Sequence, residues 1–231
     1  DDNKVLNIRT EADVNPGIYY LFNTETEKLT QLFKTHPTID INQLSPMSPF
    51  EFTNRDGVNV TGYFTAPQGK VGDVPLVVMP HGGPHGPRDY WEYSGDIQAL
   101  ASRGYAVLQV NFQGSGGFGN DFEVAGYKEW GRKIQHDIID ATRWALKKGY
   151  ADKNRVCIFG ASFGGYSALM SSIIEPELFK CAIGYVGVYD MNLMWDKGDI
   201  GEQDWGEDFL NKVLGTDKET LNAFSPVLQV D

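Results

Sequence analysis

The residues best placed by type and spacing to do chemistry are Gly160, Ser162 and Gly164, which fill a G-x-S-x-G pattern. A serine hydroxyl can serve as a nucleophile when a sharp strand-to-helix turn lifts it out of the top of a sheet. The flanking glycines let the strand and helix backbones meet, where side chains would clash. The helix beyond brings unpaired N–H groups and its positive dipole end beside the serine, where an oxyanion would form. The same residues also describe a glycine-rich β-to-α turn with a serine N-cap. Context separates the two readings. Val156, Cys157, Ile158 and Phe159 form the continuous apolar run of a strand covered on both faces, and a helical pattern follows over 162–174.

A second segment supplies a partner. His81, Gly82, Gly83 and Pro84 directly follow an apolar strand at 75–79. Esterases and lipases carry a His-Gly-Gly segment at this point, where it lends a backbone N–H to the oxyanion hole. Alone it is an ordinary Gly-Pro turn. Ahead of a serine elbow in an alternating β/α pattern, it reads as the second half of an anion site. His81 itself reads as a hydrogen-bonding residue that shapes the turn, not as a base. His85 lies at the same mouth with no assigned role, and His36 and His136 read as linker and helix-surface residues. Residues 114–119 match G-x-G-x-x-G after a strand. Phosphate-binding glycines belong to the first strand-helix turn, with an acidic residue ending the next strand. Here the next strand ends in the serine elbow, so these glycines read as a flexible loop near the site.

The elements that must position these residues follow from periodicity. Aromatic and β-branched runs at 17–22 and 28–33 flank a polar turn, a β-hairpin pattern. Residues 36–49 hold three prolines and little periodicity, and read as a linker at a domain boundary. A second hairpin spans 50–66, with Asp56 and Gly57 as its turn. Strand and helix then alternate. Helix is expected at 96–102, strand at 105–112, a long helix at 130–147 stopped by Gly149, strand at 155–159, and strand at 181–186. This pattern predicts a mostly parallel sheet with right-handed crossovers. Residues 191–215 break the rhythm and predict a short helical excursion over the sheet's carboxyl edge. Residues 225–231 look like the approach to a further core strand.

Bulk properties exclude several classes. The chain has 231 residues, 41% of them hydrophobic, enough for one large α/β domain or a domain plus part of another. A net charge of −11 argues against nucleic acid and against anionic membrane. No stretch approaches the roughly eighteen apolar residues of a membrane helix. Cys157 and Cys181 lie in apolar strand-like runs and read as small buried hydrophobes, neither a disulfide framework nor a zinc site. The acids at 190, 196, 199, 202, 204, 207 and 208 fit no calcium-loop spacing and read as a solvated face. The Asn59-Val60-Thr61 triplet is given no weight.

Four segments taken together carry a resemblance. They are residues 81–84, residues 111–119, the helix around Asp137 and Asp140, and residues 160–166. The combination resembles the catalytic domain of the prolyl oligopeptidase family of serine peptidases, in its acylaminoacyl-peptidase-like branch. The resemblance covers the chain from about Met47 onward. It implies an α/β-hydrolase fold, incomplete here, with a mostly parallel sheet and helices on both faces. Residues 1–46 then resemble the end of a β-propeller plus a linker, and residues 47–231 a partial catalytic domain. The implied activity is hydrolysis of short peptides through an acyl-enzyme on Ser162, with the N–H groups of Phe163 and Gly83 as oxyanion hole. His81, Gly82, Gly160 and Gly164 shape the turns. No cofactor, metal, nucleic acid or membrane partner is implied, and the resemblance says nothing of oligomeric state. A soluble protein is expected, with the cytoplasm favoured over periplasm or secretion. Gln113 departs from the arginine common in the family, which implies a change in loop anchoring. The fold orders its triad Ser, Asp, His along the chain, yet all four histidines precede Ser162. The catalytic Asp and His are therefore expected beyond Asp231, and the 231-residue chain is expected to be inactive. Two other readings compete: a carboxylesterase or lipase of the same fold, and a non-catalytic hydrolase-fold binding module.

Overall fold

The computed structural model describes residues 4–230. Two sheets organise them. Strands β1 (Val5–Ala12), β2 (Asn15–Asn23) and β3 (Lys28–Lys34) form an antiparallel meander. Its second hairpin is the one predicted, while β1 was not anticipated. The linker is shorter than expected. A 3-10 turn (Ile41–Gln43) interrupts it, and β4 (Met47–Thr53) already begins at Met47.

The larger sheet has six strands in the order β4-β5-β7-β6-β8-β9, with β5 (Asn59–Thr65), β6 (Leu76–Val78), β7 (Ala106–Asn111), β8 (Val156–Ala161) and β9 (Cys181–Tyr185). β4 and β5 form the predicted hairpin. Gly57 takes φ +78° at its turn, and Asn54 Oδ1 accepts from the N–H groups of Asp56 and Val58. β5 joins β7 antiparallel, and β7, β6, β8 and β9 are parallel. The sheet is thus mixed, with four parallel strands forming the half that carries the elbow. Chain alternation within β7 shows helices on both faces. Val107 packs with Ile97 and Leu100 of α1 (Gly95–Ala101), while Leu108 and Val110 enter the main core with Ile134 and Ile138 of α3 (Lys133–Lys147). Between them in the chain, α2 (Asn120–Val124) follows the glycine-rich segment and was not anticipated.

Helix α3 starts three residues later than its periodicity suggests. Arg132 sits at φ −128°, ψ −99°, and Gly131 lies so close to the Phe224 ring that no Cβ would fit. Trp130 therefore enters the core from the preceding turn, 2% exposed. Helix α4 (Phe163–Ile174) crosses from β8 to β9. Three short helices follow: α5 (Met191–Lys197), α6 (Gly206–Val213) and α7 (Lys218–Ala223). Residues 225–231, read as the approach to a further core strand, contain no strand among the described residues. Pro226–Leu228 is a single 3-10 turn, and Asp231 lies outside the described residues.

The cysteine reading is also corrected. Cys157 and Cys181 face each other in the β8–β9 register and form a disulfide, with Cα atoms 4.7 Å apart. Cys181 is exposed because β9 lies at the sheet edge. Both strands are legible in the sequence. Their register, which makes the two thiols neighbours, is not. No helix among the described residues is long and apolar enough to cross a membrane.

Candidate active site

Ser162 sits between the end of β8 and the start of α4 with φ +55° and ψ −122°. A left-handed φ on a non-glycine residue costs of order 1–3 kcal/mol and persists only where the surroundings enforce it. Here they do. The Ser162 N–H donates to Tyr185 O at 3.0 Å, and its carbonyl accepts from Tyr166 N at 3.1 Å. A Cβ on Gly160 would strike the Gly164 backbone, and one on Gly164 would strike the Pro80 carbonyl. The elbow thus exists because β8, α4 and the strand end at Pro80 meet backbone to backbone. Its product is an exposed serine whose hydroxyl makes no hydrogen bond among the described residues.

The His81–Pro84 turn lies alongside. A Cβ on Gly82 would come within 3.7 Å of the Ser162 Cβ. Gly83 takes φ +127°, and its bond to Pro84 is cis. Neither Phe163 N–H nor Gly83 N–H donates within the described residues. Two unpaired backbone donors therefore flank the serine.

His81 holds this turn. Its Nδ1 lies 2.8 Å from Gly82 O and its Nε2 2.8 Å from Ser115 Oγ. Because a carbonyl only accepts, Nδ1 carries the proton, and Nε2 accepts from the Ser115 hydroxyl. The ring stacks on Phe112, with centres 4.2 Å apart. Burial pushes its pKa down to about 4, against the smaller opposing effect of the Gly82 bond. His85 is likewise committed: its Nε2 accepts from Trp130 Nε1 at 3.0 Å, and burial pushes its pKa down to about 4. Both rings are neutral at ordinary pH with a nitrogen already bonded.

The glycine-rich segment proves to be a support, not an open loop. Gln113 N donates to Asp137 Oδ2 at 2.8 Å, and Asn54 Nδ2 donates to Asp137 Oδ1 at 2.6 Å. Ser115 is fully buried beneath His81, and Gly116 N donates to Pro87 O at 3.3 Å. Among the described residues no cation meets Asp137, and burial pushes its pKa up to about 7, opposed by those two bonds. Asp140 is different: Arg55 grips it through Nε and Nη2.

A cleft of about 530 Å³ opens over Ser162. Gly83, Ser162 and Phe163 line its floor; Val188, Leu193, Met194 and Ile200 line its walls. Leu193 and Met194 belong to α5, part of the expected helical excursion, and Val188 and Ile200 flank it. Asp190 caps it, with Oδ1 accepting from Asn192 N and Leu193 N at 2.9 and 3.0 Å. Ser225, completely buried, ties α5 to α7 by accepting from Met191 N and donating to Leu221 O. Nothing in the local sequence marks the links from Ser115 to His81 or from Ser225 to Met191, each 34 residues away. Among the described residues, no group of three or more His, Cys, Asp or Glu could hold a metal.

Comparison with known proteins gives a consistent set of similarities. Residues 91–231 match the model of the prolyl oligopeptidase family. The chain is 40% identical over 201 residues to dipeptidyl aminopeptidase BIII of Pseudoxanthomonas mexicana, covering 84% of this chain and 29% of that protein. It is 34% identical over 194 residues to dipeptidyl peptidase family member 6 of Caenorhabditis elegans, covering 74% and 26%. The acylaminoacyl peptidase of Pyrococcus horikoshii superimposes with a TM-score of 0.81 at 25% identity, over 99% of this chain and 37% of that one. The chain thus spans less than a third of the length of these two curated relatives.

Proposed function

Because the chain belongs to the prolyl oligopeptidase family, we propose that Ser162 is the nucleophile of a serine peptidase acting on short peptides. Residues 47–231 are part of its α/β-hydrolase domain, and residues 1–46 are the end of a preceding β-propeller-like domain with its linker. Ser162 Oγ attacks the scissile carbonyl carbon, and the N–H groups of Phe163 and Gly83 receive the resulting oxyanion. A histidine beyond Asp231, oriented by an aspartate also beyond it, takes the serine proton and passes it to the leaving amine. Collapse of the tetrahedral intermediate leaves an acyl-enzyme on Ser162, which water releases by the reverse route. His81 and Gly82 hold the anion turn, and Gly160 and Gly164 hold the elbow.

One observation carries this reading: a serine at φ +55° with a free hydroxyl, flanked by two undonated backbone N–H groups in one cleft. A serine at its ordinary pKa is a weak nucleophile without an adjacent base. Among the described residues no histidine bonds the Ser162 hydroxyl, and His81 and His85 have ring nitrogens engaged elsewhere, so the 231-residue chain alone is expected to be inactive. The apolar wall of Val188, Leu193, Met194 and Ile200 favours an apolar side chain on the residue that supplies the scissile carbonyl. The test is a substrate panel on a chain extended to the length of its relatives. Cleavage of short peptides in preference to simple esters supports the reading; ester hydrolysis without peptide cleavage overturns it.

A further inference from the structure

Five residues past Pro84, the segment carrying the anion turn is fastened to β7 at Asp89. Asp89 N donates to Asn111 Oδ1 at 2.8 Å, and Asn111 Nδ2 donates back to Asp89 O at 3.3 Å. Gln109, one alternation along the same strand face, donates from Nε2 to Asp89 Oδ1 at 2.8 Å. Two acceptors are then left over. Asp89 Oδ2 and Gln109 Oε1 are both sealed from solvent, and neither has a partner among the described residues. A buried acceptor without a donor is costly, and two on side chains that already touch require one common explanation.

No cation supplies it. The Arg88 guanidinium turns away to lie over the rings of Tyr90 and Phe118, at 4.7 and 4.5 Å, and its Nε bonds only the Asp89 carbonyl. The charged groups acting on the carboxyl are Glu92 and Arg88, both from its own segment. β7 contributes the amides of Gln109 and Asn111, and β5 contributes Tyr63, which pairs with Gln109 in register. A primary amide and a protonated carboxyl have complementary edges: the amide N–H meets the acid carbonyl, and the acid O–H meets the amide carbonyl. A proton on Oδ2, donated to Gln109 Oε1, would satisfy both orphaned oxygens.

We propose that Asp89 is a protonated positioning residue, joined to Gln109 as a carboxylic acid–amide pair that latches the anion turn to β7 and loosens when the acid ionises. Burial supports this by pushing the Asp89 pKa from 3.8 up to about 7, opposed by the Gln109 bond and Arg88 and aided by Glu92. The folded form then holds a proton that the unfolded form has lost, so this contribution to stability is fully present below 3.8 and lost as pH rises through about 7. That the latched turn carries an oxyanion donor, Gly83, rests on the function proposed above; the pair itself does not.

Asp89→Asn tests the latch, because its amide offers Gln109 the same donor and acceptor edge at every pH. Relative to Asp89→Asn, the folding equilibrium constant of the unaltered chain should fall about tenfold per pH unit between roughly pH 4.5 and 6.5, then level off above about 7. Infrared difference spectra of the unaltered chain near pH 6 should contain a protonated-carboxyl stretch that the variant lacks. The Gly83 amide resonance should titrate with the same midpoint, and not in the variant. Parallel stability profiles together with no protonated-carboxyl intensity lost in Asp89→Asn would overturn the latch. A band and divergent profiles with an unresponsive Gly83 would retain the acid pair but overturn its control of the turn. Side-chain carboxyl carbon resonances of the unaltered chain separate Asp89 from Asp137, whose pKa is also pushed up to about 7, so a variant that folds poorly still leaves a decision: an Asp89 resonance already ionised at pH 6 overturns the latch.

Discussion

His81→Gln isolates the charge state of the residue that holds the anion turn. In the folded chain the His81 pKa is about 4, against 6.5 when unfolded. Between those values the unfolded state binds a proton that the folded state refuses, so stability drops as pH falls from 6.5 toward 4. The difference of about 2.5 units corresponds to roughly 3 kcal/mol in full. Between about pH 6.5 and pH 4.5 both titrations are incomplete, leaving about 2 kcal/mol. His85 contributes the same sign, while Asp89 and Asp137, with pKa values pushed up to about 7, contribute the opposite one. The four buried groups nearly cancel in this window, and the unaltered chain should have a shallow stability profile. Removing His81 breaks the balance. His81→Gln should lose about 1 kcal/mol at neutral pH through its altered hydrogen bonds. It should then gain about 2 kcal/mol relative to the unaltered chain on acidification to about pH 4.5. Urea unfolding at both pH values reads this directly from the midpoints. Parallel pH dependence of the two proteins would refute a buried neutral His81.

Three further outcomes follow from the backbone geometry and the disulfide. Gly164→Ala drives a methyl group into the Pro80 carbonyl, and the backbone cannot yield; a loss of about 3 kcal/mol or more is expected in urea unfolding. Ser162→Gly relieves the left-handed φ of +55° and should raise stability by about 1 kcal/mol after the added entropy of an unfolded glycine; a lower midpoint would contradict the strain. Reducing the bond between Cys157 and Cys181, 24 residues apart in sequence, should cost about 3.5 kcal/mol by the loop-entropy relation, and equal urea midpoints with and without reductant would count against it.

The elbow and the turn beside it were legible because both are written locally. Glycines at 82, 83, 160 and 164 and an apolar run before Ser162 encode close backbone approaches within a few residues. The strand-helix alternation was legible for the same reason, since period and punctuation are local signals. What escaped depends on partners distant in the chain. The disulfide needs the β8–β9 register. Ser115 acquires its role only when the chain folds His81 over it. The support formed by Asn54, Gln113 and Asp137 joins a hairpin, a strand end and a helix, so residues 114–119 read as a loop although their start is buried.

The most direct test of Ser162 as a nucleophile separated from its base is fluorophosphonate labelling of two polypeptides under one set of conditions. One is the 231-residue chain, and the other continues past Asp231 to the length of its relatives. The expected result is negligible labelling of the first and rapid labelling of the second at Ser162 alone, abolished by Ser162→Ala. Brisk labelling of Ser162 in the 231-residue chain would contradict it and move the base to His81 or His85.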